Sequence, residues 1–269
     1  MRILLVNDDG IRAPGLAALR SAVADLGEVT VVAPETPQSA TGRSLTLTDP
    51  IACRRVQVSG TFWGLAVAGR PVDCVKLAWR ELMDHKPEIV LSGINAGANV
   101  GINVFYSGTV AAAAEGALFG VPAVAFSLAG GGDMDFPQAA GLCRWVLDGL
   151  LAAGLGAGDV VNVNIPALWR GRPGGVKVVP QGTAAIIESY EKVRGAETGE
   201  VLFKLTDYFE HGPEDEESDV FALAEGYITV TPLHSDLTDP ARLASLRRCD
   251  WGRLPAEARR AGEPPRPSS

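Results

Sequence analysis

Residues 2–34, RILLVNDDGIRAPGLAALRSAVADLGEVTVVAP, decide the fold. RILLV is a short run of aliphatics with the look of a buried strand, and it ends against three polar residues, Asn7, Asp8 and Asp9. Leu16, Leu19, Val23 and Leu26 then recur at helical spacing and Gly27 supplies a stop. EVTVVAP makes a second strand, so the stretch is one strand–helix–strand unit.

The same alternation continues through the first 150 residues. β-rich sequence runs to about Ala68, and the helix PVDCVKLAWRELMD follows with Pro71 suited to its first turn. Next come the strand EIVLSG, a long Gly/Asn-rich loop GINAGANVGINVFYSG, the helix TVAAAAEGALFG and the strand PAVAFSL. Strands alternating with helices build a parallel sheet covered on both faces, and such sheets bind ligands beyond the carboxyl ends of their strands. The unusual loops, around Asp8, Ser39 and Asn95, all lie at those ends. Beyond residue 180 the pattern changes. IIESYEKVRGAETGEVLFKLTDYF reads as a long hairpin, HGPEDEESD as an acidic solvated loop, EGYITVTPL as a final core strand and EPPRPSS as a disordered tail. The expected division is a core over 1–180, with 181–269 holding the hairpin arm, that last strand and a C-terminal segment that does not fold as an independent domain.

A net charge of −8 argues against a stable nucleic-acid partner, because that affinity comes mainly from Lys and Arg neutralising phosphates. Small molecules are the expected ligands. Cys53, Cys74, Cys143 and Cys249 form no CxxC pair, which leaves zinc ribbons and redox motifs unsignalled. The chain opens directly on a strand, without a signal-peptide pattern, and has no apolar run of about 18 residues. A cytoplasmic protein with no membrane partner is the expectation.

Asp8 and Asp9 carry the chemistry. One Asp after a strand often caps a turn, but capping needs only one, and adjacent like charges repel. A divalent cation resolves the repulsion. Two carboxylates with a few neutral oxygens suit Mg²⁺ or Mn²⁺, whereas zinc favours His or Cys, and His85, His211 and His234 sit in no ligand spacing. In the Gly/Asn loop, Asn95 and Asn99 offer amide oxygens, while Gly93, Gly97 and Gly101 allow backbone N–H groups to turn toward an anion. Ser107, Gly108 and Thr109 of YSGTV open an alanine-rich helix, where Ser107 or Thr109 can cap and the free N–H groups make an anion site. No GxxxxGK[ST], no GxGxxG after the first strand and no GxSxG occurs, so P-loop, standard dinucleotide and α/β-hydrolase chemistry are unsupported.

NDDG after the first strand, APETPQSATG after the second, SGINAGANVG and YSGTVAAAAEG, continued by VNVNIP and GYITVTPLHSDLT, resemble the SurE (survival protein E) family of metal-dependent 5'-nucleotidases. The resemblance implies a Rossmann-like three-layer α/β/α sandwich with a mostly parallel sheet, acting as a divalent-metal-dependent phosphomonoesterase on nucleoside 5'-monophosphates, in some members also on short polyphosphate. It implies metal ligands at Asp8, Asp9, Ser39 and Asn95, and one Mg²⁺ or Mn²⁺ per subunit, with Co²⁺ acceptable. Asp8, Asp9 and Asn95 are then the catalytic residues, and Asn99 with the Ser107–Gly108–Thr109 turn holds the phosphate. One departure is Ala40, where the family pattern expects Gly after the serine. A nonenzymatic nucleotide or metal sensor using the same site is the alternative from another class, and a glycosyltransferase-like enzyme a third. An isolated hairpin with Ile186, Ile187, Phe203 and Phe209 exposed is a sticky patch, which predicts pairing of subunits through the arm; the resemblance extends this to dimers or tetramers.

Overall fold

The structure is a computed structural model that describes residues 1–58, 60–130, 134–183, 186–194, 201–211 and 216–252; the side chains of 186–188, 194 and 207–211 lie outside that description. The chain divides into two compact units, residues 1–235 and 236–269. In the first unit the order is β1 (Arg2–Val6), α1 (Pro14–Ala22), β2 (Glu28–Pro34), β3 (Cys53–Val58), β4 (Phe62–Val67), α2 (Pro71–Leu77), β5 (Ile89–Ala96), α3 (Gly108–Leu118) and β6 (Ala123–Leu128). It continues with α4 (Phe136–Ala153), β7 (Val160–Ile165), β8 (Val176–Val178), β9 (Ile186–Arg194), β10 (Val201–His211), α5 (Asp219–Ala224) and β11 (Ile228–Leu233).

A nine-stranded sheet has the order β3-β4-β2-β1-β5-β6-β7-β11-β8. From β4 to β7 every neighbouring pair is parallel, while β3 pairs antiparallel with β4 and β11 antiparallel with β7. The expected mostly parallel sheet is thus present, with antiparallel strands toward its ends. RILLV explains why β1 is central. Ile3, Leu4, Leu5 and Val6 are all fully buried, and a strand buried on both faces must be apolar throughout. Ile3 and Leu5 join one core cluster with Leu16, Leu19 and Phe126, which packs α1 and α4 on that face. Leu4 and Val6 join the other, with Val75, Ala112 and Ala113, under α2 and α3. Three layers follow from this alternation.

Two elements differ from the sequence expectation. β5 does not stop at Gly93: it runs on to Ala96, with a register irregularity between Ser92 and Asn95, because Asn95 and Ala96 pair with Ser127 and Leu128 of β6. Gly93 makes this continuation possible, since its φ is 134° and a Cβ there would lie 2.2 Å from the Phe126 carbonyl oxygen. Residues 211–219 do not form a wholly solvated acidic loop. Residues 212–215 lie outside the described residues, but Ser218 caps α5 and Asp219 is fully buried, accepting N–H bonds from Gly101 and Gly182. A carboxylate with donors waiting in the fold is not repelled from it.

β9 and β10 pair antiparallel in a sheet of their own, with Phe203 opposite Lys192 and Leu205 opposite Tyr190. Val201, Phe203, Leu205 and Tyr190 share one face of it and are exposed. The side chains of Ile186, Ile187 and Phe209 lie outside the described residues. All four cysteines are free. Among the described residues no helix is long and apolar enough to cross a membrane. In the second unit, α6 (Pro240–Arg247) is capped by Asp239, which accepts from the Arg242 N–H at 2.9 Å; the stretch EPPRPSS lies outside the described residues.

Candidate active site

The polar residues that follow β1 turn back at once. Asn7 is buried and its amide donates to the Gly10 carbonyl at 3.0 Å, which holds Asp8 and Asp9 at the end of the strand. Asp8 is 7% exposed and accepts a hydrogen bond from the Thr109 hydroxyl. The Thr109 backbone N–H also favours its charged form. Burial nevertheless dominates and, helped by the charge of Asp9, pushes the Asp8 carboxyl up to about 6. Asp9 is less buried and accepts from the Ala96 N–H at 2.9 Å; burial raises its pKa as well.

Three further connections close the site. The Gln38 N–H donates to the Asp8 carbonyl at 2.8 Å, which fixes the loop carrying Ser39, and the Gly42 N–H donates to the Tyr106 carbonyl at 2.9 Å. Ser39 itself is exposed. The Asn95 amide nitrogen donates to the Gly97 carbonyl at 2.8 Å, so its amide oxygen is the group left over for a ligand. Gly108 sits so close that a Cβ on it would lie 2.7 Å from the Asp8 Cβ. The structure therefore brings Asp8, Asp9, the Ser39 loop, Asn95 and the 107–109 turn to one end of the sheet.

Other expectations are revised. Ser107, not Thr109, caps α3, its hydroxyl oxygen accepting from the Val110 N–H at 3.1 Å; the Thr109 hydroxyl serves Asp8 instead. The Gly97 and Gly101 N–H groups are not left for a ligand's anion, since the first donates to the Leu128 carbonyl and the second to the protein's own Asp219 carboxylate. Asn99 is held by β6 and β7. Its N–H donates to the Asn164 amide oxygen at 2.8 Å, its carbonyl accepts from the Asn162 and Asn164 amides, and its own amide donates one N–H to the Ser127 hydroxyl at 2.8 Å. A second amide hydrogen remains on Asn99. Asn162 and Asn164 were missed as site residues, although Asn twice at alternate positions in VNVNIP is a signal: it places two amides on one face of a buried strand.

A cation fits these residues. Among the described residues no Lys, Arg or His lies within ion-pair distance of Asp8 or Asp9, so two adjacent carboxylates lack a neutralising charge. Each also keeps one oxygen outside the hydrogen bonds just described. Among the described residues no group of three or more His, Cys, Asp or Glu clusters, so an ion held here would have to complete its shell with neutral oxygens, the kind of ligand that Mg²⁺ and Mn²⁺ accept.

Ala40 adopts φ 54°, the single non-glycine residue in the left-handed region among the described residues. That conformation costs an L-residue about 1–2 kcal/mol, against about 0.4–1 kcal/mol lost through the freer unfolded chain of glycine. Ala40→Gly is expected to raise the melting temperature by about 1–3 °C by calorimetry, and a drop would mean that the Ala40 methyl is needed where it sits.

The family model described as Survival protein SurE matches residues 3–188. The chain belongs to the SurE family. Among SurE relatives, the protein named 5'-nucleotidase SurE of Rhodopirellula baltica is 44% identical over 256 residues, covering 95% of this chain and all of that one. Its namesake in Syntrophobacter fumaroxidans is 45% identical over 238 residues, covering 88% of this chain and 95% of the relative. The crystal structure of the SurE protein from Aquifex aeolicus is similar with a TM-score of 0.78 at 39% identity, covering 92% of this chain and 98% of that one. The SurE match spans β1 through the start of β9 and so includes every candidate site residue.

Proposed function

We propose that this protein is a divalent-metal-dependent phosphomonoesterase that hydrolyses nucleoside 5'-monophosphates to nucleoside and phosphate. The relatives' name, 5'-nucleotidase SurE, supports the reaction. The observation that carries the metal is the Asp8–Asp9 pair, largely buried, with no cation of the protein beside it. Asp8, Asp9, Ser39 and Asn95 would hold the ion, Mg²⁺ or Mn²⁺, with Co²⁺ a substitute. When bound, a divalent cation polarises a phosphate and acidifies a bound water. Thr109 acts through Asp8, its hydroxyl holding the carboxylate oriented. Ser107, Gly108 and the second amide hydrogen of Asn99 hold the phosphate oxygens, at a helix N-terminus that favours an anion. Asp8, Asp9 and Asn95 are the catalytic residues in this reading.

Phosphate release from AMP or GMP with added Mn²⁺ is expected, as is its loss on chelation with EDTA. Binding of nucleotide without release under any metal would favour the sensor instead. Short polyphosphate is the second substrate to assay.

We further propose that 1–180 is the catalytic core of a cytoplasmic enzyme and that the β9–β10 arm joins subunits into dimers or tetramers. The support is the exposed Val201, Phe203, Leu205 and Tyr190, which share one face with Lys192 on a two-stranded sheet that is marginal by itself. Light scattering at micromolar concentration is expected to give a multiple of 28.2 kDa. A mass near 28.2 kDa would end the assembly proposal.

A further inference from the structure

On the face of the sheet that lies under α3, apolar residues give way to polar ones toward the carboxyl ends of the strands. Val90 is followed by Ser92, Ala125 by Ser127, and Val160 by Asn162 and Asn164, all of them buried. In register, Asn95, Ser127, Asn164 and Thr229 lie side by side across β5, β6, β7 and β11, so this row starts at a candidate metal ligand. Asn99 rests on it. Asn164 meets Asn99 as a neighbouring strand would, its amide oxygen accepting from the Asn99 N–H at 2.8 Å and its amide nitrogen donating to the Asn99 carbonyl at 3.2 Å. Asn162 donates to the same carbonyl at 2.7 Å, and the Ser127 hydroxyl accepts from the Asn99 side-chain amide at 2.8 Å. Resting on the nucleotidase reading, we propose that Ser127, Asn162 and Asn164 are positioning residues, which hold the Asn99 amide in place for the substrate's phosphate.

Stability does not account for this set. β7 otherwise consists of Val160, Val161, Val163 and Ile165, and an apolar residue at 162 would fill the same face with no polar group to satisfy. Asn162 instead buries an amide whose oxygen has no hydrogen-bond partner among the described residues, a state that disfavours the fold. What that amide gains is the Asn99 carbonyl. The backbone N–H, the backbone carbonyl and the side chain of Asn99 are thereby all fixed by β6 and β7, which supply none of the proposed metal ligands. A donor held on core strands binds an anion without first ordering a loop, and this lowers the cost of binding. All three residues act through Asn99.

The test uses two substitutions that leave no backbone group of Asn99 without a partner. Asn162→Leu removes one donor but leaves the Asn99 carbonyl its bond from Asn164, and Ser127→Ala removes only a hydroxyl. Calorimetric titration of inorganic phosphate into the Mn²⁺-loaded protein is expected to show affinity at least tenfold lower in Asn162→Leu and at least fivefold lower in Ser127→Ala, with Mn²⁺ affinity within twofold of the parent in both. The metal-free melting temperature of Asn162→Leu is expected to equal or exceed that of the parent, which a residue kept for stability would not allow. In an Asn99→Ala background each substitution is expected to change phosphate affinity by less than twofold, because the group they act through is gone. A parent that binds phosphate, and loses that affinity in the variants, yet hydrolyses no ester defeats the nucleotidase reading and leaves the positioning role standing. The inference is overturned if the Mn²⁺-loaded parent does not bind phosphate, if both variants bind it as the parent does, if Mn²⁺ and phosphate affinity fall alike, or if the full effects persist in the Asn99→Ala background.

Discussion

Asp8→Asn is expected to lower metal affinity and phosphatase rate by at least two orders of magnitude while making the metal-free protein more stable at neutral pH. The first half follows from removing one of two charges that a divalent ion needs, with shape kept and the Thr109 hydroxyl still able to donate to the amide oxygen. The second follows from burial, which raises the Asp8 carboxyl from 3.8 to about 6 in the folded chain. A raised folded value means that the native state holds the proton more tightly. Its contribution is fully present below about pH 3.8 and is lost as pH rises through about 6. At pH 7.5 the charged, unmetallated carboxylate costs the fold on the order of 3 kcal/mol, a cost Asn does not carry. Urea unfolding in EDTA should show parent stability declining between pH 4 and 7 in a way that Asp8→Asn does not. Equal pH dependence in the two proteins would mean that Asp8 is not held in a desolvated place. Asp9→Asn is expected to lose activity similarly, with a smaller stability gain, since Asp9 is less buried.

Gly108→Ala carries the other large effect, and its sign is the reverse of the usual one. Replacing glycine by alanine in a helix ordinarily stabilises by roughly 0.5–1 kcal/mol. Here the new methyl would lie 2.7 Å from the Asp8 Cβ, 2.9 Å from its Oδ2 and 3.1 Å from the Pro71 Cγ, so the carboxylate or the start of α3 must move. Overpacking of this kind costs about 1–3 kcal/mol, and displacing a ligand weakens metal binding by about 10–100-fold. Calorimetric titration of Mn²⁺ with a thermal melt of each protein reads both effects. A variant that is more stable and binds Mn²⁺ normally would show that α3 does not set the position of Asp8.

Legibility in the sequence followed the range of the interactions. β1, α1 and β2 were readable because local periodicity matches the layer each residue faces, Ile3 and Leu5 to one side, Leu4 and Val6 to the other. The acidic pair was readable because two carboxylates after a core strand have no cheap structural explanation. The bond from Thr109 to Asp8 was not, since the two are 101 residues apart and a threonine in a first helical turn has a sufficient local role as a cap or phosphate contact. Asp219 was hidden in the same way: within an acidic run it looks solvated, and only the fold supplies the Gly101 and Gly182 donors. The glycines flanking Asn95 read as a loop, yet pairing with Ser127 carries the strand through Gly93.

In the proposed function one divalent cation sits between Asp8, Asp9, Ser39 and Asn95. The direct test is an anomalous difference map from crystals grown with Mn²⁺. A single strong peak per subunit is expected within coordination distance of the Asp8 and Asp9 carboxylates, with the Ser39 hydroxyl and the Asn95 amide oxygen in its shell. A peak elsewhere, or none at these carboxylates under conditions where Mn²⁺ supports turnover, would contradict it.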